Sequence, residues 1–178
     1  MKQRYTHIKY QLSRDTRILF IGTNPSPGTY RRQIPFSNNK SFWYLLSDAG
    51  LIDETREELK NDALLKKLYL EKFNPVYKLG LLNLVHRPSK TISEVTQEEA
   101  VPGGVKIMAA IRRYDPFVVC FVGKGTYQLF TQRSRCDYGW QNSLYQSLVF
   151  VMHSPLHGPA HIRIKELQEV GRAVRLLR

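Results

Sequence analysis

The stretch Gly22-Thr23-Asn24-Pro25-Ser26-Pro27-Gly28 places one uncharged amide directly after the apolar run Ile18–Ile21. An amide is no strong base, but its carbonyl oxygen can accept a hydrogen bond from a water and so aim that water at an electrophile. Such weak help suffices where a bond breaks by a dissociative route through an oxocarbenium-like centre, as when a base is cleaved from deoxyribose. An Asn-Pro pair after a strand also serves as plain turn chemistry, and the residues alone leave both readings open.

Other catalytic machines find no support. No GxxxxGK[ST] or GxGxxG follows the first apolar run, so neither a phosphate loop nor a dinucleotide fold is indicated. Gly123-Lys124-Gly125 lacks phosphate-loop spacing and reads as a tight turn into a helix beginning near Thr126. No GxSxG elbow occurs, and Cys120 and Cys136 lie apart without a CxxC or Cys/His cluster. No metal and no organic cofactor is expected.

The elements that would hold such an amide are legible from periodicity. Ile18–Ile21, Gly80–Val85, Phe117–Gly123 and Ser147–Met152 read as strands, the third the most β-like and therefore central. Helical patterns cover Phe42–Gly50, Glu54–Lys72, Val101–Tyr114 with Pro102 near its start, and an amphipathic terminal stretch from Ile162. This alternation predicts a three-layer α/β/α sandwich with a central, mostly parallel sheet of four to five strands. Each strand runs into a polar or Gly/Pro-rich loop, GTNPSPG, HRPSK, GKGTY or HSPLHGP. In open α/β sheets ligands bind beyond the carboxyl ends of the strands, so these loops are expected to converge on one site.

The chain has 178 residues and a formal net charge of +12, which suits a single domain spanning residues 1–178 that meets a polyanion. Lys2, Arg4, Lys9, Arg14 and Arg17 make residues 1–16 and their junction a basic N-terminal extension. It carries no apolar signal-peptide core, and no later run reaches membrane-spanning length. An intracellular protein with reduced thiols and no membrane contact is therefore expected.

Taken in order, GTNPSPG, IPF with Phe36 twelve residues after Asn24, FWYLLSDAGL, GLLNLVHRPS, EEAVPGGVKI, YDPFVVCFVGKGTYQLF and HSPLHGP resemble the uracil-DNA glycosylase superfamily. Within it they look most like the mismatch-specific uracil- and thymine-DNA glycosylase branch. The resemblance implies that Asn24 positions the hydrolytic water, with Gly22 and Thr23 beside it at the base. It makes Phe36 the ring that stacks on an extruded base, the alternative being an ordinary core phenylalanine. Asn83 becomes the amide that reads a pyrimidine edge, the alternative being a cap or turn. In the last loop it makes Ser154 a phosphate contact and Leu156 the wedge that fills the gap left by the flipped base. A second alignment of that loop gives His153 the task of stabilising the departing base anion. His157 follows the wedge, beside the orphaned guanine, where the branch more commonly has a small residue or arginine, and Asn38, Asn39 or no residue at all stands in for an asparagine the branch often carries before Phe42. Lys124, Arg87, Arg163 and Lys165 are the candidate phosphate contacts.

The function so implied is removal of uracil, and of thymine, opposite guanine in duplex DNA by a monofunctional and monomeric enzyme that flips the base and starts base-excision repair. Three alternatives belong beside it: a glycosylase for hypoxanthine or an etheno adduct, a non-catalytic module that senses mismatches, and a small-molecule hydrolase, which the charge suits poorly.

Overall fold

A computed structural model describes residues 8–176. Its strands are β1 (Ile18–Gly22), β2 (Leu79–Asn83), β3 (Val118–Val122), β4 (Gly139–Leu144) and β5 (Ser147–Met152), and its helices α1 (Pro27–Arg32), α2 (Ser41–Asp48), α3 (Arg56–Lys60), α4 (Asp62–Glu71), α5 (Gln97–Tyr114), α6 (Lys124–Thr131) and α7 (Ala160–Leu176). The strands form one sheet in the order β2-β1-β3-β5-β4. The first four in that order run parallel, and β4 pairs with β5 antiparallel.

Both faces of the sheet are covered, which is why its parallel strands read as unbroken apolar runs. Ile18, Phe20, Val118, Cys120 and Phe150 face one core together with Phe42, Trp43, Leu65, Leu68, Leu167 and Val170 from α2, α4 and α7. Leu19, Ile21, Val119, Phe121 and Val149 face the other core with Ile107 and Ile111 of α5 and Tyr127 of α6. The expected three-layer sandwich and the central position of β3 are both observed.

Four elements differ from the sequence reading. Pro27 and Gly28 do not prevent regular structure but open α1, with Pro27 in its first turn and the Ser26 hydroxyl accepting the Thr29 N–H at 3.2 Å. The 54–72 stretch is two helices, because Asn61 ends α3 and its side chain caps α4 through the N–H groups of Ala63 and Leu64. Helix α5 starts at Gln97 rather than Val101, behind a Thr96/Glu99 capping box, and keeps Pro102 inside it. Strand β4 was not anticipated at all.

Of the basic start, Lys2 and Arg4 lie outside the described residues, while residues 8–16 pack on the body. Ile8 is buried, Tyr69 donates its hydroxyl to the Lys9 carbonyl at 2.8 Å, and Asn74 donates to the Thr16 hydroxyl at 2.7 Å. No helix among the described residues is long and apolar enough to cross a membrane.

Candidate active site

Since β1, β2, β3 and β5 point the same way, their carboxyl ends bring the four loops together around a cavity of about 580 Å³. Thr23, Asn24, Phe36, Asn83, Ser89, Lys124, Ser154, Leu156 and His157 all line it. A larger and shallower hollow of about 850 Å³ between α5, α6 and Tyr145 holds mainly apolar side chains and two arginines, and none of these groups.

The Asn24 amide is held in one orientation. Its Nδ2 donates to the Ser89 hydroxyl at 2.7 Å and to the Arg87 carbonyl at 3.0 Å. A carbonyl can only accept, so the atom facing Arg87 is the nitrogen. The Ser89 hydroxyl in turn donates to the Thr91 carbonyl at 2.8 Å, which leaves its lone pairs for Asn24. Oδ1 of Asn24 is thereby left without a donor among the described residues, at the wall of the cavity. Ser89 is buried and its N–H donates to the Pro25 carbonyl at 3.1 Å, so the β2 loop clamps both side chain and backbone of the β1 loop. Arg87 stands behind this clamp: it donates to both carboxylate oxygens of Glu99 and to the Glu94 carbonyl. The Arg87 guanidinium and the Thr96 N–H hold the Glu99 carboxyl down to about 2.

Elsewhere on the cavity wall, Phe36 adopts a left-handed backbone with φ of +54°, a costly conformation for a bulky residue that persists only where the surrounding structure over-determines it. Its ring stacks on Phe42 with centroids 4.5 Å apart, while the Trp43 indole N–H fixes the preceding carbonyl of Pro35 at 2.8 Å. Asn83 ends β2, buried and beside the ring. A Cβ at Gly22 would stand 2.4 Å from Asn83 Oδ1 and 2.9 Å from the tip of Phe36, so only glycine lets these two side chains share the floor of the cavity. Behind Asn83 the Tyr10 hydroxyl is pushed well above its ordinary range by burial, against which its interaction with the Asn83 amide acts. The Thr126 hydroxyl donates to the Val122 carbonyl at 2.8 Å, so the 2.6 Å contact to Thr23 has Thr23 as the donor. This bond ties the β1 loop to α6. Asn38 and Asn39 both line the rim, and the Asn39 side-chain Oδ1 accepts the Ser41 N–H at the start of α2.

The last loop carries Leu156 outward, 58 % exposed, beside exposed His157. Arg163, expected at a phosphate, is buried, and its guanidinium donates to the carbonyls of Ser154, Pro155 and Gly158, bracing the loop that carries Leu156. Arg87 is likewise engaged with Glu99, whereas Lys124 lines the cavity and Lys165 is exposed on α7. His153 is absent from the cavity lining. Its N–H donates to Glu166 at 2.9 Å, its Nδ1 lies 2.6 Å from the other oxygen of that carboxylate, and its ring lies against Tyr138. Cys120 is fully buried, with its thiol pushed up by burial.

Sequence reading missed Ser89, Tyr138 and Glu166. Ser89 carried a local signal, since it lies in the HRPSK loop two residues beyond Arg87; the other two come into place only through pairing of β4 and docking of α7. One family model matches the chain, that of the Uracil DNA glycosylase superfamily, over residues 10–168.

Proposed function

The chain belongs to the uracil DNA glycosylase superfamily, and from that premise we propose that it is a monofunctional, mismatch-specific glycosylase that removes uracil, and by extension thymine, opposite guanine in duplex DNA. Members of the superfamily are DNA glycosylases, hydrolases that act on DNA in base-excision repair. The observation that supports the finer reading is the fixed Asn24 amide, whose free Oδ1 shares one cavity with the Phe36 ring and the Asn83 amide.

In this reading Phe36 replaces the stacking that the flipped base loses, and Asn83, able both to donate and to accept, reads the O/N–H/O edge of the pyrimidine. Asn24 Oδ1 accepts a hydrogen bond from a water and holds it against C1′. As the C1′–N bond lengthens, its electron pair leaves with the base, the water oxygen bonds to C1′, and the surplus proton passes to solvent. The base departs as an anion. The first turn of α6 lines the cavity and starts at Gly123 with no side chain capping its N–H groups, which gives that charge a favourable place to develop. Leu156 fills the vacated stack, Ser154 and the surface cations meet phosphates, and the enzyme works as a monomer where cellular DNA is.

Duplexes carrying uracil, thymine, hypoxanthine or ethenocytosine opposite guanine test this, with abasic sites opened by hot alkali and resolved on a gel. Cleavage of G·U is expected, with Asn24→Ala removing most turnover and keeping DNA affinity. Cleavage confined to hypoxanthine or the etheno base would transfer the chain to another lesion class, and no cleavage of any duplex would refute the enzyme reading.

A further inference from the structure

Around His153, Tyr138 and Lys124 form a stack of a kind that base excision does not require. The Tyr138 ring has two partners: Lys124 Nζ stands 4.2 Å from its centroid, and the His153 ring lies on it with centroids 3.5 Å apart at 19°. The ring is thus engaged with this chain's own groups. What it offers is its edge and hydroxyl. Tyr138 is 40 % exposed and lines the cavity rim, and its hydroxyl makes no hydrogen bond among the described residues. Glu166 holds Nδ1 of His153 and accepts its backbone N–H, so the ring cannot swing away, and Nε2 is the nitrogen left for an outside partner. The imidazole side chain is 31 % exposed, against 11 % for Glu166. The neighbouring loop adds the Ser154 hydroxyl at the same rim.

We infer that Lys124, Tyr138 and His153 form a phosphate seat for the DNA strand that carries the extruded nucleotide. Three donors of different type would converge on one phosphodiester: a lysine ammonium, a phenol O–H and, once the ring is protonated, an imidazole N–H. Phosphodiester oxygens are strong acceptors, and the one carboxylate of the cluster, Glu166, lies behind the imidazole on its Nδ1 side. The groups around His153 are Glu166 from α7, Tyr138 from the segment before β4, Lys124 from α6 across the tyrosine, and the buried Arg163 guanidinium under the next loop residues. Protonation of His153 therefore adds a donor toward DNA while Glu166 compensates the charge from behind. His153 becomes a contact of the strand, and the departing base is left to the first turn of α6.

The inference rests on the DNA-glycosylase reading, but its test reads binding first and cleavage separately. Anisotropy of a labelled G·U duplex with a 2′-fluorinated, uncleavable target nucleotide gives Kd as a function of salt and of pH between about 5.5 and 8.5. Wild type should bind more tightly at the acid end. His153→Gln should flatten that dependence, and Lys124→Met should lower the salt slope by about 0.9, the value of one phosphate contact. Tyr138→Phe, which keeps the ring and its packing, should weaken binding about five-fold, the worth of one hydrogen bond. Thermal melts of each variant establish that it is folded. Unchanged pH dependence in His153→Gln, or full affinity in Tyr138→Phe, would overturn the phosphate seat. So would a His153→Gln whose affinity is intact and whose single-turnover cleavage alone is slowed, since that is the mark of a group acting on the leaving base. Failure of wild type to cleave any lesion while these binding effects persist would sink the glycosylase reading and leave the seat standing.

Discussion

Ser89 should act on the reaction only through Asn24, and a double-mutant cycle can measure that. Ser89→Ala removes the nearest of the three acceptors that orient the Asn24 amide and leaves the Arg87 carbonyl at 3.0 Å and the Pro25 carbonyl at 3.4 Å. A hydrogen bond of this kind is worth about 1 kcal/mol net, so loosening of the amide should slow single-turnover cleavage about five-fold. In the proposed mechanism Asn24→Ala removes the oxygen that would aim the water, and loss of one preorganised polar group at a reacting centre costs about 10²–10³ in rate. The double variant should then be no slower than Asn24→Ala, because without the amide Ser89 has nothing to orient. Ser89 is 6 % exposed and also donates to the Thr91 carbonyl, so Ser89→Ala should lower stability by about 1–2 kcal/mol, roughly 2–8 °C in Tm. The rates are therefore compared well below every melting point. A double variant a further five-fold below Asn24→Ala, or a Ser89→Ala as slow as Asn24→Ala, would refute the reasoning, since either would mean that Ser89 meets the water or the sugar itself.

Adjacent glycines in α5 should respond oppositely to alanine. A Cβ at Gly103 would fall 1.7 Å from the Leu84 carbonyl oxygen, which predicts a loss of about 3 kcal/mol or more, roughly 6–12 °C in Tm, whereas at Gly104 the nearest atom is 3.7 Å away and Gly104→Ala should hold or raise Tm. Equal melts for the two variants would contradict the close approach of α5 to the end of β2. Glu99 has its carboxyl lowered to about 2, so its pairing with Arg87 stabilises the fold above the unfolded carboxylate range near 4.3 and is lost as pH falls toward 2; melts should show wild type losing more over that window than Glu99→Gln. Leu156→Ala should slow excision from duplex and leave excision from single-stranded DNA unaffected, because only a duplex has a stack to refill; equal loss on both would remove the wedge role.

The legible part of the fold is the part in which burial writes directly into composition. β1, β2, β3 and β5 are buried almost throughout and show as apolar runs, and their shared direction already brings the four loops together. Strand β4, Gly-Trp-Gln-Asn-Ser-Leu, lies at the sheet edge with no more than partial burial, so neither an apolar run nor a clean alternation marks it. The start of α5 is written in the sequence as Thr96-x-x-Glu99, a stronger signal than Pro102, which the helix keeps inside it, while α1 shows that proline and glycine suit a helix's first turn when a serine precedes them. In the site, Asn24, Phe36 and Asn83 could be named from their motifs, and all three line one cavity. The strain at Phe36 and the way Gly22 admits Asn83 are three-dimensional facts. Arg163 looked like a surface cation because its number of charges is readable and its burial is not.

The Thr23–Thr126 hydrogen bond joins hydroxyls 103 positions apart, and β1 pairs in register with β3 at Ile18↔Val118. Such non-local pairing is slow to form, since loop closure must be met before any contact rewards it. During synthesis a chain extended through β2 already holds Asn24, Phe36 and Asn83, yet it lacks the Thr126 tether, the first turn of α6 and the wedge loop. The cavity is therefore complete only once β3, α6, β5 and the loop beyond β5 have joined the first two strands.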